Sequence, residues 1–339
     1  MLPGLLQNLT DIWRESLCQS GIHLRQPLSV IQIGGARGKD RKVNYLVFES
    51  GHSFPVLMMK VARTPGYQER LRHEHEALTA VWQNPALQTS IPRPLGLFIF
   101  ENNFVLLEQC LPGIPLKVLL RRQQRVSPQQ VQHDCQQALT WLQRMQQATH
   151  SGMDTFAGEA AVTARLECVR NPLPDAFVKN LQTLARQYEG LAIPMSSRHG
   201  DYWPGNLMLH EGRLGVIDWE DFSAVACPFH DLFFFFTGYT RAYPWHGWRW
   251  TKSTVAFERA FLQDNWFSQF ITSSVHKYLQ TINIPQSTAA LLFSLFLLDR
   301  AAPAADEGQK RQQQAAVWQE RLQLYARHKA HPIFREVRA

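Results

Sequence analysis

Apolar positions recur at helical spacing at the start of the chain. Leu5, Leu6, Leu9, Ile12, Trp13 and Leu17 predict one N-terminal helix over 5–17. From Leu28 the pattern becomes β-rich. Val30, Ile31 and Ile33 make a first run, Val43 to Phe48 a second and Phe54 to Val61 a third. Gly34-Gly35-Ala36-Arg37-Gly38 and Glu49 to Ser53 separate them, which predicts an antiparallel meander. Leu71, Leu78, Val81 and Trp82 then form the stripe of a helix over 68–83. Leu95 to Phe100 and Phe104 to Glu108 read as a hairpin turning at Asn102-Asn103.

After Pro112-Gly113 the pattern is helical. Ser127-Pro128 supplies an N-cap and a first-turn proline for a helix carrying Val131, Cys135, Ala138, Leu139, Leu142 and Met145. Further helices are predicted at 156–168, 175–188, 254–278, 288–301 and 309–328, and the Phe233 to Phe236 run reads as a buried helix. The fold class is α+β. A small antiparallel sheet with one helix occupies 1–109, and a larger, mainly helical part occupies 110–339.

Composition narrows the class. The 339 residues are 45% hydrophobic and 19% charged, which fits a folded chain. Pro3, Asn8, Asp11 and Arg14 interrupt the first twenty positions, unlike a signal peptide. The longest apolar stretch, Ala289 to Leu298, is about half of the roughly 20 residues a spanning helix needs. No transmembrane segment and a cytoplasmic location are therefore expected. The five cysteines, without a Cys-x-x-Cys pair, fit reduced thiols rather than disulfides or zinc.

The net charge is +7, which leaves open a cationic surface, nucleic acid, a membrane surface or an anionic substrate. No dense Lys/Arg run carries interleaved aromatics, so no specific nucleic-acid partner is expected. Lys117, Arg121, Arg122 and Arg125 read as a solvated helix face.

The chemistry lies in Arg198-His-Gly-Asp-Tyr-Trp-Pro-Gly-Asn-Leu-Met-Leu209, followed by Leu214-Gly-Val-Ile-Asp-Trp-Glu220. Pro204 and Gly205 keep Asp201 and Asn206 on a loop, and Asp218 ends a short apolar strand. Phosphoryl transfer from a nucleotide needs a carboxylate to orient and deprotonate the acceptor hydroxyl. It also needs oxygen ligands for magnesium, and cations or amides to balance phosphate charge. One Asp, one Asn and a second Asp supply the first two.

His199-Gly200-Asp201…Asn206 and Ile217-Asp218-Trp219-Glu220 resemble the H-G-D-x-x-x-x-N and I-D-W/F-E signatures of aminoglycoside phosphotransferases and choline kinases. The resemblance spans about Val30 to Asp231 and implies a bilobal protein-kinase-like fold. It implies Asp201 as catalytic base, Asn206 and Asp218 as Mg2+ ligands, and His199 as a prop for the loop. Lys60, alone among apolar residues in Val56-Leu-Met-Met-Lys60-Val-Ala62, would pair with Glu74 and face the phosphates of ATP, with GTP as an alternative donor. Glu76 is the reserve partner. Gly34 and Gly35 sit where a phosphate-covering loop belongs, although their spacing is not that of a P-loop. Arg37 and Lys39 read as solvated loop charges. Val105 to Gly113 resembles the hinge, where backbone groups of Gln109 and Leu111 would meet the base, and Asp231 resembles a brace of the helical lobe.

Little chain separates Asp218 from His230-Asp231, which leaves no room for a long activation segment and points to a small-molecule hydroxyl acceptor. Trp203 and Gly205 also resemble the D-L-W-x-G-N of fructosamine kinases, which favours a sugar-like acceptor over an aminoglycoside. Glu220 and Asp221 either bind the acceptor or hold the loop together. Tyr239, Tyr243, Trp245, Trp248 and Trp250 either stack on a sugar or form core. A kinase-fold pseudoenzyme or nucleotide-binding scaffold is the alternative class, but Lys60, Glu74, Asp201, Asn206 and Asp218 are all present. A monomer or homodimer is expected.

Overall fold

The structure, a computed structural model, describes residues 2–33, 42–245, 252–302 and 309–328. The chain divides into two compact units. The first comprises Met1–Leu116, His199–Asp201 and Gly205–Ala224; the second comprises Lys117–Arg198, Tyr202–Pro204 and Val225–Ala339.

The first unit begins with helices α1 (Leu2–Thr10) and α2 (Arg14–Gln19), followed by β1 (Leu28–Ile33), β2 (Lys42–Glu49) and β3 (Leu57–Ala62). Helix α3 (Pro65–Trp82) leads to the hairpin β4 (Pro94–Phe100) and β5 (Asn103–Gln109), and then to the short β6 (Ile114–Pro115). All five long strands pair antiparallel in the order β1-β2-β3-β5-β4, as the meander and hairpin predict. The hairpin turns on Glu101 and Asn102, one residue earlier than the predicted Asn102-Asn103, and their φ angles of 47° and 65° suit a tight two-residue turn.

Side-chain alternation gives this sheet two different faces. Val43, Tyr45, Val47, Leu57, Met59, Val105 and Leu107 form an apolar core with Leu5, Leu9, Trp13 and Leu17 of the N-terminal segment. On the opposite face Ala62 and Leu106 pack with Leu71 of α3. Lys60 pairs in register with Leu106, so it shares that second face. The predicted single N-terminal helix is broken after Thr10. The break carries Trp13 into the core, stacked on Phe98 at 4.9 Å, and leaves Ile12 71% exposed.

The chain then runs through α4 (Leu116–Arg122), α5 (Pro128–Ala148), β7 (Gly152–Thr155), α6 (Gly158–Glu167), α7 (Asp175–Gln187) and β8 (Ala192–Arg198). It returns to the first unit for β9 (Leu207–His210) and β10 (Arg213–Val216), with β11 (Ser223–Ala226) following. Helices α8 (Phe229–Ala242), α9 (Ser253–Phe261), α10 (Trp266–Thr281), α11 (Ala289–Ala301) and α12 (Gln309–Arg327) complete it.

Ser127 caps α5 by accepting the Gln130 N–H at 3.1 Å. The helix predicted over 254–278 is two helices. Asn265 starts the second with a capping box, accepting the N–H groups of Phe267 and Ser268 at 3.0 and 3.1 Å. The phenylalanine run of α8 is buried, with Phe233 packed on Phe293 and Phe296 of α11. Among the described residues no helix is long and apolar enough to cross a membrane.

Candidate active site

The site grows from the β9–β10 hairpin, which turns on Glu211 and Gly212, both at positive φ. The Ile217 N–H donates to the Asn206 carbonyl at 3.0 Å, which carries the pairing one step past the hairpin and brings Asn206 abreast of Ile217-Asp218. Asn206 Nδ2 donates to the Asp201 main-chain carbonyl at 3.0 Å and to Asp201 Oδ2 at 2.8 Å. Both donors of the amide are thereby committed to Asp201, so Oδ1 is the atom Asn206 can offer a cation.

His199 is fully buried and edge-on to Trp219, with ring centroids 4.7 Å apart. Its Nε2 donates to the Ile217 carbonyl at 3.1 Å while Nδ1 accepts the Asp201 N–H at 3.3 Å, a pairing that requires the Nε2–H tautomer. Gly200 has φ +83°, and a Cβ there would stand 2.1 Å from the Asp221 carbonyl oxygen. Only glycine fits between His199 and Asp201.

The lysine and the helix glutamate meet as expected. Lys60 Nζ lies 2.6 Å from Glu74 Oε1, and Glu76 is exposed. Two partners were not anticipated. Lys60 Nζ also lies 2.9 Å from Glu108 Oε1, and Glu74 Oε1 accepts the Trp219 N–H at 3.1 Å. Lys60, Glu74 and Glu108 are at most 3% exposed. Burial opposes the charge on Lys60, but Glu108, Glu74 and Asp218 more than offset it and raise its pKa. Burial raises the Glu108 carboxyl to about 7, against the pull of Lys60. Glu108 was readable by the reasoning that found Lys60, being a charge inside the apolar run Val105-Leu-Leu-Glu108.

Asp218 has φ +67° and a side chain one-third exposed. Its Oδ1 lies 3.5 Å from Lys42 Nζ and 3.9 Å from Lys60 Nζ. Burial disfavours its charge, yet Lys42 and Lys60 outweigh that and hold its pKa below the usual carboxylate range. Lys42 also reaches Glu220 Oε2 at 3.0 Å, and Arg70 Nη2 lies 2.8 Å from Asp221 Oδ1 and 3.7 Å from Glu220 Oε1. Glu220 and Asp221 are therefore tied to cations of their own unit.

Around the resembled hinge, the Gln109 N–H donates to the Arg93 carbonyl at 2.9 Å and the Cys110 N–H to the Val56 carbonyl at 3.1 Å. The Leu111 N–H joins neither bond. The Leu111 side chain lies against Gly215, where a Cβ would be 2.7 Å from Leu111 Cδ1. Gly34, Gly35, Trp248 and Trp250 lie outside the described residues. Tyr239 is core: it is buried, and its hydroxyl donates to Asp134 Oδ2 at 2.8 Å. Tyr243 and Trp245 pack on each other and on Phe267.

A family model described as the phosphotransferase enzyme family matches residues 42–268. The chain belongs to that family. This phosphotransferase is accordingly an enzyme that passes a phosphoryl group to an alcohol of a small molecule.

Among solved structures it is similar to the GDP complex of aminoglycoside 2′-phosphotransferase-IIIa. That match has 13% identity and a TM-score of 0.53, covering 94% of this chain and 98% of the other. It is also similar to a macrolide 2′-phosphotransferase from Brachybacterium faecium, at 15% identity and TM-score 0.51, covering 92% and 98%. These likenesses show a shared protein-kinase-like fold. No curated protein sequence matches.

The phosphotransferase's oxygen donors suit a hard divalent cation. Asn206 offers Oδ1, Asp218 is held ionised, and one oxygen each of Glu74, Asp218 and Glu220 lies within 4.8 Å of the others.

Proposed function

We propose that this phosphotransferase moves the γ-phosphoryl group of ATP to a hydroxyl of a sugar-like, amino-sugar or amino-alcohol acceptor, with Asp201 as the base. The observation that carries the reading is the bonding of Asn206 to Asp201, joined by the ladder step that pairs Asn206 with Ile217, the residue before Asp218.

In this reading Asp201 accepts the acceptor's hydroxyl proton as the oxygen attacks the γ-phosphorus, and ADP leaves with the bridging oxygen. Asn206 orients the Asp201 carboxylate through Nδ2. His199 fixes the backbone on both sides, holding Asp201 N and the Ile217 carbonyl that precedes Asp218. Lys60 is aimed at the phosphates by the two carboxylates that flank it, and the Leu111 N–H meets the base. GTP is accommodated by the same phosphate contacts. Asn206 and Asp218 would hold Mg2+, which supplies charge neutralisation on the phosphates when bound.

The Trp203-Pro204-Gly205 turn favours a sugar-like acceptor. Lys117 Nζ lies over the Trp203 ring, 4.6 Å from its centroid, so a sugar stacking there would displace that cation. The test is phosphorylation of sugars, glycated amines, choline and aminoglycosides, read as phosphorylated product by mass spectrometry. Product from one class, dependent on ATP and Mg2+, names the acceptor. An aminoglycoside as the only substrate would refute the sugar-like preference.

A further inference from the structure

Lys42 is the first residue of β2, and the sequence assigns it no role. Its ammonium is seated on two carboxylates, 3.0 Å from Glu220 Oε2 and 3.5 Å from Asp218 Oδ1. Asp218 is one of the two proposed Mg2+ ligands. A protein cation thus stands at an oxygen that the metal requires.

One oxygen each of Glu74, Asp218 and Glu220 lies within 4.8 Å of the others, beside the ammonium groups of Lys42 and Lys60 and with Arg70 Nη2 3.7 Å from Glu220. The side chains of Lys42 and Glu220 are only 18% and 17% exposed, and Glu74 Oε2 and Glu108 Oε2 are buried without a hydrogen-bond partner. Carboxylates grouped this closely repel one another unless cations stand among them. A divalent ion would supply two positive charges. Magnesium binds oxygen at about 2.0–2.1 Å in near-octahedral order. An ammonium directed at the same Asp218 oxygen competes for that position, both sterically and by charge.

We propose that Lys42 is an internal stand-in for the metal, which keeps the free enzyme from taking up the ion before the nucleotide arrives. Without nucleotide, an incoming ion must displace Lys42 from Asp218 with only Glu220 left to receive it. With nucleotide bound, phosphate oxygens supply both additional metal ligands and a new partner for the lysine. Lys42 therefore couples metal uptake to nucleotide uptake, a positioning role exercised through Asp218. This inference rests on the metal assignment of the proposed function.

The experiment is Mn2+ titration of the full-length protein, read as free Mn2+ by electron paramagnetic resonance, with and without saturating ADP. Lys42→Met should bind Mn2+ at least fivefold more tightly than the wild type without ADP. The difference should shrink to within about twofold with ADP, and Lys42→Arg should restore wild-type behaviour. Thermal melts confirm that the variants are folded. Equal or weaker Mn2+ binding by Lys42→Met without ADP overturns the inference while leaving the kinase reading standing. If Asp218→Asn leaves Mn2+ binding unchanged even with ADP, the metal assignment itself fails, and the role of Lys42 fails with it.

Discussion

Lys60 Nζ and Glu108 Oε1 lie 2.9 Å apart on the α3 side of the five-stranded sheet, both buried. Together with the 2.6 Å contact to Glu74, this makes Lys60 an ammonium clamped between two carboxylates rather than one member of a pair. The clamp has consequences for stability that a simple Lys–Glu pair would not.

The first concerns pH. Glu108 has its pKa raised to about 7 in the folded protein, because burial outweighs the pull of Lys60. In the unfolded chain it titrates near 4.3. The folded state therefore binds the extra proton between these values, and the associated stability is full below about pH 4 and lost as pH rises through about 7. At about 1.4 kcal/mol per pKa unit, the shift is worth on the order of 4 kcal/mol. Urea denaturation at pH 5 and pH 8 should show the wild type losing more stability across that interval than Glu108→Gln, which lacks the titrating group. Equal losses would remove Glu108 as the source.

The second concerns the lysine itself. Lys60→Met leaves Glu74 and Glu108 facing each other without a cation, and a broken buried pair costs about 3–5 kcal/mol. Adding Glu108→Leu to that variant should recover at least half of the loss, because one of the stranded carboxylates is gone. Denaturation midpoints of the two variants measure this. Activity should stay low in both if Lys60 faces the phosphates as proposed.

The third concerns two glycines with nearly the same backbone. Gly200 and Gly190 have φ of +83° and +80°, but a Cβ on Gly200 would meet the Asp221 carbonyl oxygen at 2.1 Å, and a Cβ on Gly190 meets nothing within 4 Å. Gly190→Ala should cost only the left-handed penalty of about 1–2 kcal/mol. Gly200→Ala must also move backbone, and should exceed about 4 kcal/mol or fail to fold. Calorimetric melts of the two proteins decide this, and similar costs would mean that the His199–Asp201 turn can yield to admit a side chain.

The chemistry of the site was legible in the chain to different degrees. Asp201, Asn206 and Asp218 announce themselves because three oxygen-bearing side chains sit at close spacing around a Pro-Gly turn. Lys60 does so because a charge inside an apolar strand demands a partner. The same demand made by Glu108 was equally visible. Lys42 was not legible, because its partners Asp218 and Glu220 are 176 and 178 residues away and nothing local marks it.

The fold shows the same division. Five strands with clear alternation were readable, whereas β6 has only two residues and β7, β9 and β10 four each, too few to display a period. The break between α9 and α10 carried a local signal in Asn265-x-x-Ser268, masked by apolar residues that continue on both sides.

In the proposed reaction Asp201 is the base of a phosphoryl transfer from ATP. The measurement that tests it most directly is Mg2+-dependent ATP turnover by the wild type and Asp201→Asn with a productive acceptor, beside ADP affinity for both. Asp201→Asn should lower kcat by roughly 10²- to 10⁴-fold with nucleotide affinity unchanged, as expected for removal of a general base. A variant that retains turnover within about threefold of the wild type would contradict it.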